Sequence, residues 1–165
     1  MLRYRPINLQ NDKEIILELQ CQINYACDTP YSRKIYPTYE KYRKKWMSTT
    51  QTKEFLSRLE KSLKNERTIA KIVEANKKVI GYFWVQFFDV IGYDLTYAEI
   101  SELAVLPEYQ RKGIATKMLS YIEKEVRKKG VKVIRSGTGI LNIPSQKLHK
   151  KLGYKPIRIS YEKIL

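Results

Sequence analysis

The chain is poor in the residues that build disulfide scaffolds and metal centres. It holds two cysteines, Cys21 and Cys27, and one histidine, His149, among 165 residues. The cysteines lie six positions apart with no further Cys or His beside them, a spacing typical of neither a zinc site nor a disulfide framework. No apolar run is long enough to span a membrane. We therefore expect no metal, no disulfide and no membrane partner.

The amino terminus, Met1 to Pro6, also lacks the apolar stretch of a secretory signal, so a cytoplasmic protein is the expectation. Hydrophobic residues make up 43% of the chain and aromatic residues 12%, which favours a folded protein over a disordered one. No internal repeat or Gly/Ser linker divides the sequence. The length fits one domain with a single core, residues 1–165.

Basic residues exceed acidic ones, 32 against 17, which gives a formal net charge of +15. Such a surface attracts polyanions, suits a ligand with several phosphates and disfavours a polyamine. A nucleic-acid-binding module is one alternative that this charge invites. No RNP, KH or helix-turn-helix signature is present, and the charge is spread widely, so we expect no specific nucleic-acid partner.

Hydrophobic periodicity predicts elements in the order β-α-α-β-β-β-α-β-α-β, a mixed α/β chain with a central sheet. A helix is expected from an N-cap at Asp12, and a loop between Pro30 and Pro37. The other expected helices are Thr38 to Asn65, broken near Ser48–Thr50, Ile114 to Lys129, and Ser145 to Leu152. The expected strands are Leu2 to Asn8, Thr68 to Glu74, Val79 to Val90, Tyr97 to Leu106, Val131 to Arg135, and a closing strand, Ile157 to Leu165.

The most informative stretch is the turn Gln110 to Ala115, between an apolar strand and a helix. Peptide N–H groups at a helix N-terminus point outward, and the helix dipole favours negative charge there. Gly113 lets the backbone approach a phosphate without an intervening Cβ, and Arg111 and Lys112 add positive charge. The turn therefore predicts a diphosphate-binding site.

The segment Ala98 to Tyr109, followed by the Gln-x-x-Gly-x-Ala turn, resembles the central motif of the GNAT acetyltransferases. The run Asn142 to Tyr154 resembles the second signature of that family, with His149 where a Tyr is usual. The resemblance implies a GNAT-type acyl-CoA acyltransferase fold, with a mixed central β-sheet flanked by helices. It also implies an N-acetyltransferase that moves an acetyl group from acetyl-CoA to a primary amine. A protein lysine, a protein N-terminus and a small-molecule amine are all open as acceptors.

The resemblance implies that backbone amides of the basic turn bind the pyrophosphate of acetyl-CoA. The end of the preceding strand would pair with the pantetheine arm like an added strand, with a bulge at that point. Asn142 would lie near the arm, unless it only caps a helix. The implied cofactor-binding residues are Leu103, Ala104, Val105, Gln110, Arg111, Lys112, Gly113, Ile114, Ala115, Thr116 and Asn142.

Two carboxylates, Glu99 and Glu102, are the candidate general bases. Glu99 is the preferred candidate. Simple strand alternation puts Glu102 on the face of the sheet opposite to Glu99, unless a bulge intervenes. Burial beside apolar neighbours would raise a carboxyl pKa towards neutrality, as a base requires. A structural ion pair, or deprotonation through water, are the alternatives. His149 is the candidate acid for the leaving thiolate. The alternatives are Tyr154 or Tyr161 as the acid, or departure of the thiolate without a proton donor.

The acceptor site is expected among the first helices, where a Tyr-rich segment, Tyr25 to Trp46, either binds the acceptor or packs those helices together. A non-catalytic acyl-CoA-binding regulatory protein is a further alternative to an enzyme. The closing strand could serve a homodimer, as it often does in this family.

Overall fold

The computed structural model describes residues 1–165 as five strands and six helices. The strands are β1 (Leu2–Pro6), β2 (Thr68–Ala75), β3 (Lys78–Val90), β4 (Leu95–Val105) and β5 (Val133–Ser136). The helices are α1 (Leu9–Ala26), α2 (Pro30–Ile35), α3 (Tyr39–Met47), α4 (Gln51–Leu63), α5 (Ile114–Lys128) and α6 (Ile143–Lys151). A short 3₁₀ turn, Pro107–Tyr109, follows β4.

The strands form one sheet in the order β1-β2-β3-β4-β5. The pairs β1–β2, β2–β3 and β3–β4 are antiparallel, and β5 runs parallel to β4. A parallel neighbour requires a crossover, which α5 supplies between β4 and β5. The predicted mixed α/β architecture with a central sheet is confirmed.

Helices cover both faces of the sheet and create two apolar clusters. On one face Phe83 and Ile100 pack with Met118 and Ile122 of α5. On the other face Tyr82 and Trp84 pack with core residues of α1 and α4, including Ile16, Leu19, Phe55 and Leu59. The sheet therefore separates an α5/α6 side from an α1/α4 side, and this division positions the candidate site.

The start of α1 differs from the sequence prediction. Its N-cap is Asn8, whose side chain accepts a hydrogen bond from the Gln10 amide at 3.0 Å. Asp12 lies one turn inside the helix, where it accepts from the Asn8 amide at 2.8 Å and from both terminal nitrogens of Arg5 at 2.7 Å. Burial opposes the charge on Asp12, yet these donors hold the pKa of its carboxyl below the usual value. The prediction of an Asp12 cap was wrong because Asn8 caps the helix, while the Asp12 carboxylate pairs with Arg5 of β1.

One further element differs from the prediction, and one predicted break is confirmed. The predicted loop between Pro30 and Pro37 contains the short helix α2, which begins with Pro30 at its first position and the Thr29 side chain as its cap. Both features favour a helix start. The predicted break near Ser48–Thr50 is confirmed, since α3 ends at Met47 and α4 begins at Gln51.

The predicted closing strand, Ile157 to Leu165, is not formed, and residues 154–165 have no regular secondary structure. Its apolar residues remain exposed, among them Ile157, Ile159 and Tyr161. A strand forms only where its backbone pairs with a neighbour, and here no strand of the chain pairs with this segment. The prediction of a closing strand was wrong, because the alternating pattern has no pairing partner within the chain.

The two cysteines are free thiols, with Cys21 buried in α1 and Cys27 just after it. No cluster of side chains has the composition of a metal site. None of the helices combines the length and apolar character needed to cross a bilayer.

Candidate functional site

The parallel pairing of β4 with β5 is short and leaves part of β4 open. It runs from the Tyr97–Val133 pair to the Ile100–Ser136 pair and then stops. From Glu102 to Val105, β4 pairs only with β3, and Ser101 has no register partner in either neighbouring strand. We call the point where β5 departs the fork, and residues 101–105 the open edge. An open edge offers backbone groups to an extended ligand, which can bind there as an added strand.

A β-bulge at Ser101 sets which side chains surround the fork. Val85 faces Ile100 while Trp84 faces Glu102, so Ser101 is an extra residue in β4. The bulge expected at residues 103–105 therefore lies two to four positions earlier. Glu99, opposite Gln86, and Glu102, opposite Trp84, thus lie on the same α1/α4 face. Simple alternation would separate the two carboxylates, and the structure shows the other case, in which a bulge inserts one residue between them.

Glu102 belongs to the open edge, and its carboxyl lies in a partly buried hydrogen-bonded group. The Gln20 side-chain amide donates to Glu102 Oε1 at 3.0 Å, and the Tyr82 hydroxyl donates to Gln20 Oε1 at 2.7 Å. Burial raises the pKa of the Glu102 carboxyl to about 7, although Gln20 and the nearby Arg58 guanidinium act in the opposite direction. A carboxylate with this pKa accepts a proton readily near neutral pH.

Glu99 shares that face but lies within the paired part of β4. Its register partners are Gln86 on β3 and Arg135 on β5, and the Arg135 guanidinium stacks on Tyr97 at 4.0 Å. Neither Glu99 nor Glu102 takes part in a salt bridge. The structure therefore does not support the alternative that either carboxylate forms a structural ion pair.

A groove between α1, α3 and α4 opens to solvent and reaches Gln20, the hydrogen-bond partner of Glu102. Its volume is about 860 Å³, and Gln20, the donor to Glu102, forms part of its wall. The other residues that line it include Asn24, Tyr42, Trp46, Lys53, Glu54 and Arg58. Only the late part of the Tyr-rich segment faces this groove. The tyrosines of this segment also form an aromatic cluster. In it Tyr25 packs against Tyr39 and Tyr42, and Tyr36 packs against Tyr42.

Gln20 is a site residue that the sequence prediction missed. It is only 5% exposed although it is polar, and it lies next to Leu19 on the apolar side of α1. A polar residue within the apolar stripe of a helix is a signal that could have identified it, since buried polar groups need hydrogen-bond partners.

The turn before α5 has the geometry that the sequence predicted. Gly113 is the N-cap of α5 with φ 73°, and Arg111 also has a positive φ, 61°. No protein group accepts a hydrogen bond from the peptide N–H groups of residues 111–116. A Cβ built on Gly113 would meet nothing within 4 Å, so the space in front of these amides is open. A run of free amides at a helix N-terminus fits a diphosphate.

The side chains of the turn have different roles. Gln110 Nε2 donates to the Val105 carbonyl at 2.9 Å, which ties the turn to the end of the open edge. Lys112 Nζ donates to the Glu108 carbonyl at 2.8 Å and lies over the Tyr109 ring. Lys112 therefore points back at its own turn, and the guanidinium of Arg111 is the charged group left to meet an anion.

His149 lies on the other face of the sheet, against the end of β5. Its Nδ1 is 2.8 Å from the Ser145 carbonyl, and its Nε2 is 2.9 Å from Ser136 Oγ. Because a carbonyl only accepts, this network assigns the proton of a neutral ring to Nδ1, and Nε2 accepts from Ser136. Ser136 is the last paired residue of β5, so His149 and Ser136 both lie at the fork.

Of the two alternative acids, Tyr154 packs against His149, with the ring centroids 5.0 Å apart. Burial raises the pKa of Tyr154 to about 12, with Glu123 acting in the same direction and Arg127 against it. Tyr161 is 92% exposed. Asn142 caps α6 by accepting from the Ser145 amide at 3.3 Å, and its Nδ2 lies 3.6 Å from Cys27 Sγ. The structure thus shows Asn142 as the cap of α6. A contact between Asn142 and the cofactor arm stays a prediction.

A family profile described as the acetyltransferase (GNAT) family matches residues 30–154. That match covers both the basic turn and the run from Asn142 to Tyr154. The chain belongs to the acetyltransferase (GNAT) family. The match confirms the predicted activity, acetyl transfer from acetyl-CoA to an amine, and leaves the acceptor open. No curated protein matches the sequence.

Solved structures share the fold at low identity. A predicted acetyltransferase with acetyl-CoA from Clostridium acetobutylicum superposes with a TM-score of 0.71 at 20% identity, covering 99% of this chain and 96% of that one. The aminoglycoside acetyltransferase AAC(6')-Ih from Acinetobacter baumannii has a TM-score of 0.67 at 18% identity, with 100% and 99% covered. Glucosamine-6-phosphate N-acetyltransferase from Arabidopsis thaliana has 0.66 at 12%, with 99% and 98% covered.

The residues of this chain fit acetyl-CoA as the acetyl donor. The free amides at 111–116 match a diphosphate, and the open edge at 101–105 matches an extended arm that offers amide groups. Gln110 joins the two parts, so that one continuous surface runs from the helix terminus to the fork.

The free amides can be tested by replacing Gly113. Gly113→Asp places a carboxylate and a Cβ in front of them, so we expect it to abolish acetyl-CoA binding. Acetyl-CoA at a hundredfold over its Kd should stabilise the wild type by about 2.7 kcal/mol, a rise of several degrees in Tm. The variant should show no rise, as measured by thermal unfolding with and without ligand.

Gly130→Asp is a matched control for this substitution. Gly130 follows α5 with φ 75°, and its Cβ would likewise meet nothing within 4 Å. Backbone strain is therefore similar, and this variant should keep the full response to acetyl-CoA. An equal response in both variants would contradict the assignment of the amides.

Proposed function

We propose that this enzyme acetylates a primary amine that enters through the groove between α1, α3 and α4, with Glu102 as general base. One observation carries the proposal: the carboxyl beside the open edge has its pKa near 7 and is linked by Gln20 to the wall of that groove. Substrate access and a proton acceptor thus meet on one face of the fork.

The donor is held by main chain more than by side chains. The amides of residues 111–116 bind the diphosphate, Arg111 adds charge, and the open edge at Leu103, Ala104 and Val105 pairs with the arm. Acetyl-CoA supplies an activated thioester when bound. Binding along one rigid strand fixes the orientation of the reacting group, which accounts for a large part of the rate of such reactions.

Glu102 accepts the proton that the amine must lose before or during attack. The Gln20 amide, itself held by Tyr82, fixes the orientation of the carboxylate. Glu99 is the weaker candidate, because it lies within the paired part of β4, three residues before Glu102. On the opposite face, His149 is the proton source for the leaving thiolate.

The charges around the groove support an acceptor that is not a polycation. Lys53 and Arg58 line it together with one carboxylate, Glu54, and the whole chain carries a net charge of +15. Positive surroundings repel a polyamine and attract an amine that also bears an anionic group. We therefore favour an acceptor of the second kind.

The role of Glu102 has both a kinetic and a thermodynamic consequence. Glu102→Gln should lower kcat/KM on the order of 10² to 10⁴-fold, the usual contribution of a general base. The wild-type kcat/KM should rise with pH up to about 7 and then level. These rates are measured with an amine identified from a panel that includes anionic and polycationic members. A larger loss in Glu99→Gln than in Glu102→Gln would assign the base to Glu99 instead.

The same variant tests the raised pKa without catalysis. Because the folded-state pKa of Glu102 lies above its unfolded value of about 4.5, its contribution to stability is complete below pH 4.5 and is lost as the pH rises through 7. From pH 5 to pH 8 the wild type should therefore lose up to about 3 kcal/mol relative to Glu102→Gln, measured by denaturant unfolding. A constant difference between the two proteins would contradict the buried carboxyl.

We also propose that two copies associate through the C-terminal segment. Ile157 and Ile159 are each 73% exposed and alternate with polar residues, which gives the segment one apolar face. The outer edge of β5 has no strand partner within the chain, because β5 ends the sheet. A second copy of this chain offers the paired strand that the pattern requires, in keeping with the β-augmentation of exposed edges.

Light scattering during gel filtration checks the association. Wild type should be dimeric at micromolar concentration, and Ile157→Lys combined with Ile159→Lys should be monomeric while keeping its response to acetyl-CoA. Arg158→Ala combined with Ser160→Ala, on the polar face, is the control and should remain dimeric. A monomeric wild type would contradict the proposal.

Two free thiols, one of them only partly buried, support our proposal of a cytoplasmic location. Cys27 lies at the end of α1, beside Asn142. Reducing compartments keep such thiols unpaired, whereas oxidising ones favour disulfides.

A further inference from the structure

We propose that the hydroxyl of Ser136 delivers the proton to the leaving sulfur, and that His149 acts as the proton source behind Ser136. This inference rests on the proposed acetyl transfer and adds a residue that the sequence motifs did not indicate. It follows from where the two ring nitrogens of His149 point.

Both nitrogens of His149 are engaged by groups of its own chain. Nδ1 donates to the Ser145 carbonyl one turn earlier in α6, which fixes the plane of the ring. Nε2 is directed at Ser136 Oγ, 2.9 Å away. The edge of the ring packs against Tyr154, with the centroids 5.0 Å apart. A proton that leaves Nε2 therefore passes first to the Ser136 oxygen.

Ser136 occupies the position from which a proton can enter the fork. It pairs with Ile100 in the final rung before β4 and β5 separate. Since paired residues of neighbouring strands share a face, its side chain lies on the α5/α6 side with Ile100, which belongs to the core on that side. Glu99 and Glu102 lie on the opposite face. The groups that accept and supply protons are thus on opposite sides of the sheet.

The proton count of the step is balanced. As the amine nitrogen bonds to the carbonyl carbon, the carbon–sulfur bond breaks and sulfur keeps the electron pair. The Ser136 O–H proton moves to sulfur, and the Ser136 oxygen takes the Nε2 proton of the imidazolium. His149 is left neutral with its proton on Nδ1, the tautomer that the Ser145 carbonyl stabilises. Water restores the imidazolium for the next turnover.

Replacement of the hydroxyl tests the relay. Ser136→Ala should lower kcat on the order of 10²-fold, as expected for loss of a general acid, with the KM for acetyl-CoA unchanged. Ser136→Thr keeps a hydroxyl on a strand residue and should retain most of the activity. Ser120→Ala, an exposed serine of α5, is the control. Equal losses in Ser136→Ala and Ser136→Thr, or no loss in Ser136→Ala, would overturn the relay.

A second readout needs no turnover, because His149 is the only histidine and its imidazole NMR signals are unambiguous. The relay predicts the Nδ1–H tautomer in the neutral free protein. It also predicts that CoA shifts the Nε2 resonance in wild type and Ser136→Thr, and much less in Ser136→Ala. An Nε2–H tautomer, or equal shifts in all three proteins, would overturn it.

The two experiments separate the relay from the activity on which it rests. Absence of acetyl-CoA binding or turnover in the wild type would refute the proposed function and, with it, delivery to sulfur. Normal wild-type turnover with unaffected Ser136→Ala would refute the relay alone.

Discussion

The departure of β5 from β4 after the Ile100–Ser136 pair is the constraint on which the rest of the site depends. Backbone groups at a strand edge need partners, and here the chain supplies none from Ser101 to Val105 on one side. The gap is fixed on one side by β3 and at its end by Gln110, which binds the Val105 carbonyl. We propose that a ligand with amide groups in an extended arm completes the sheet.

The sheet also divides the chemistry between its two faces. The bulge at Ser101 turns both Glu99 and Glu102 towards α1 and α4, where the groove opens. His149 and Ser136 lie towards α5 and α6, on the side of the free amides. Amine and donor can therefore approach the fork from opposite faces. The hydrogen bonds of Gln20 and Ser145 hold the two titratable groups in fixed orientations.

Local features were predictable from sequence and long-range ones were not. The Gly113 turn and the start of α5 depend on neighbouring residues, and they have the expected geometry. The position of the bulge depends on the register between β3 and β4, so alternation alone could not decide which face Glu102 occupies. Gln20 contacts a residue 82 positions away, which no motif records. The closing strand failed because its pattern requires a pairing partner that no strand of the chain provides.

Hydrogen exchange of backbone amides, measured by NMR with and without acetyl-CoA, tests the central claim most directly. We expect slowed exchange at residues 111–116, whose N–H groups have no acceptor in the protein, and along the open edge at 101–105. Protection at those two stretches, with little change in the paired strands β1 to β3, would support a donor site built from main chain. Unchanged exchange at both stretches under saturating acetyl-CoA would contradict it.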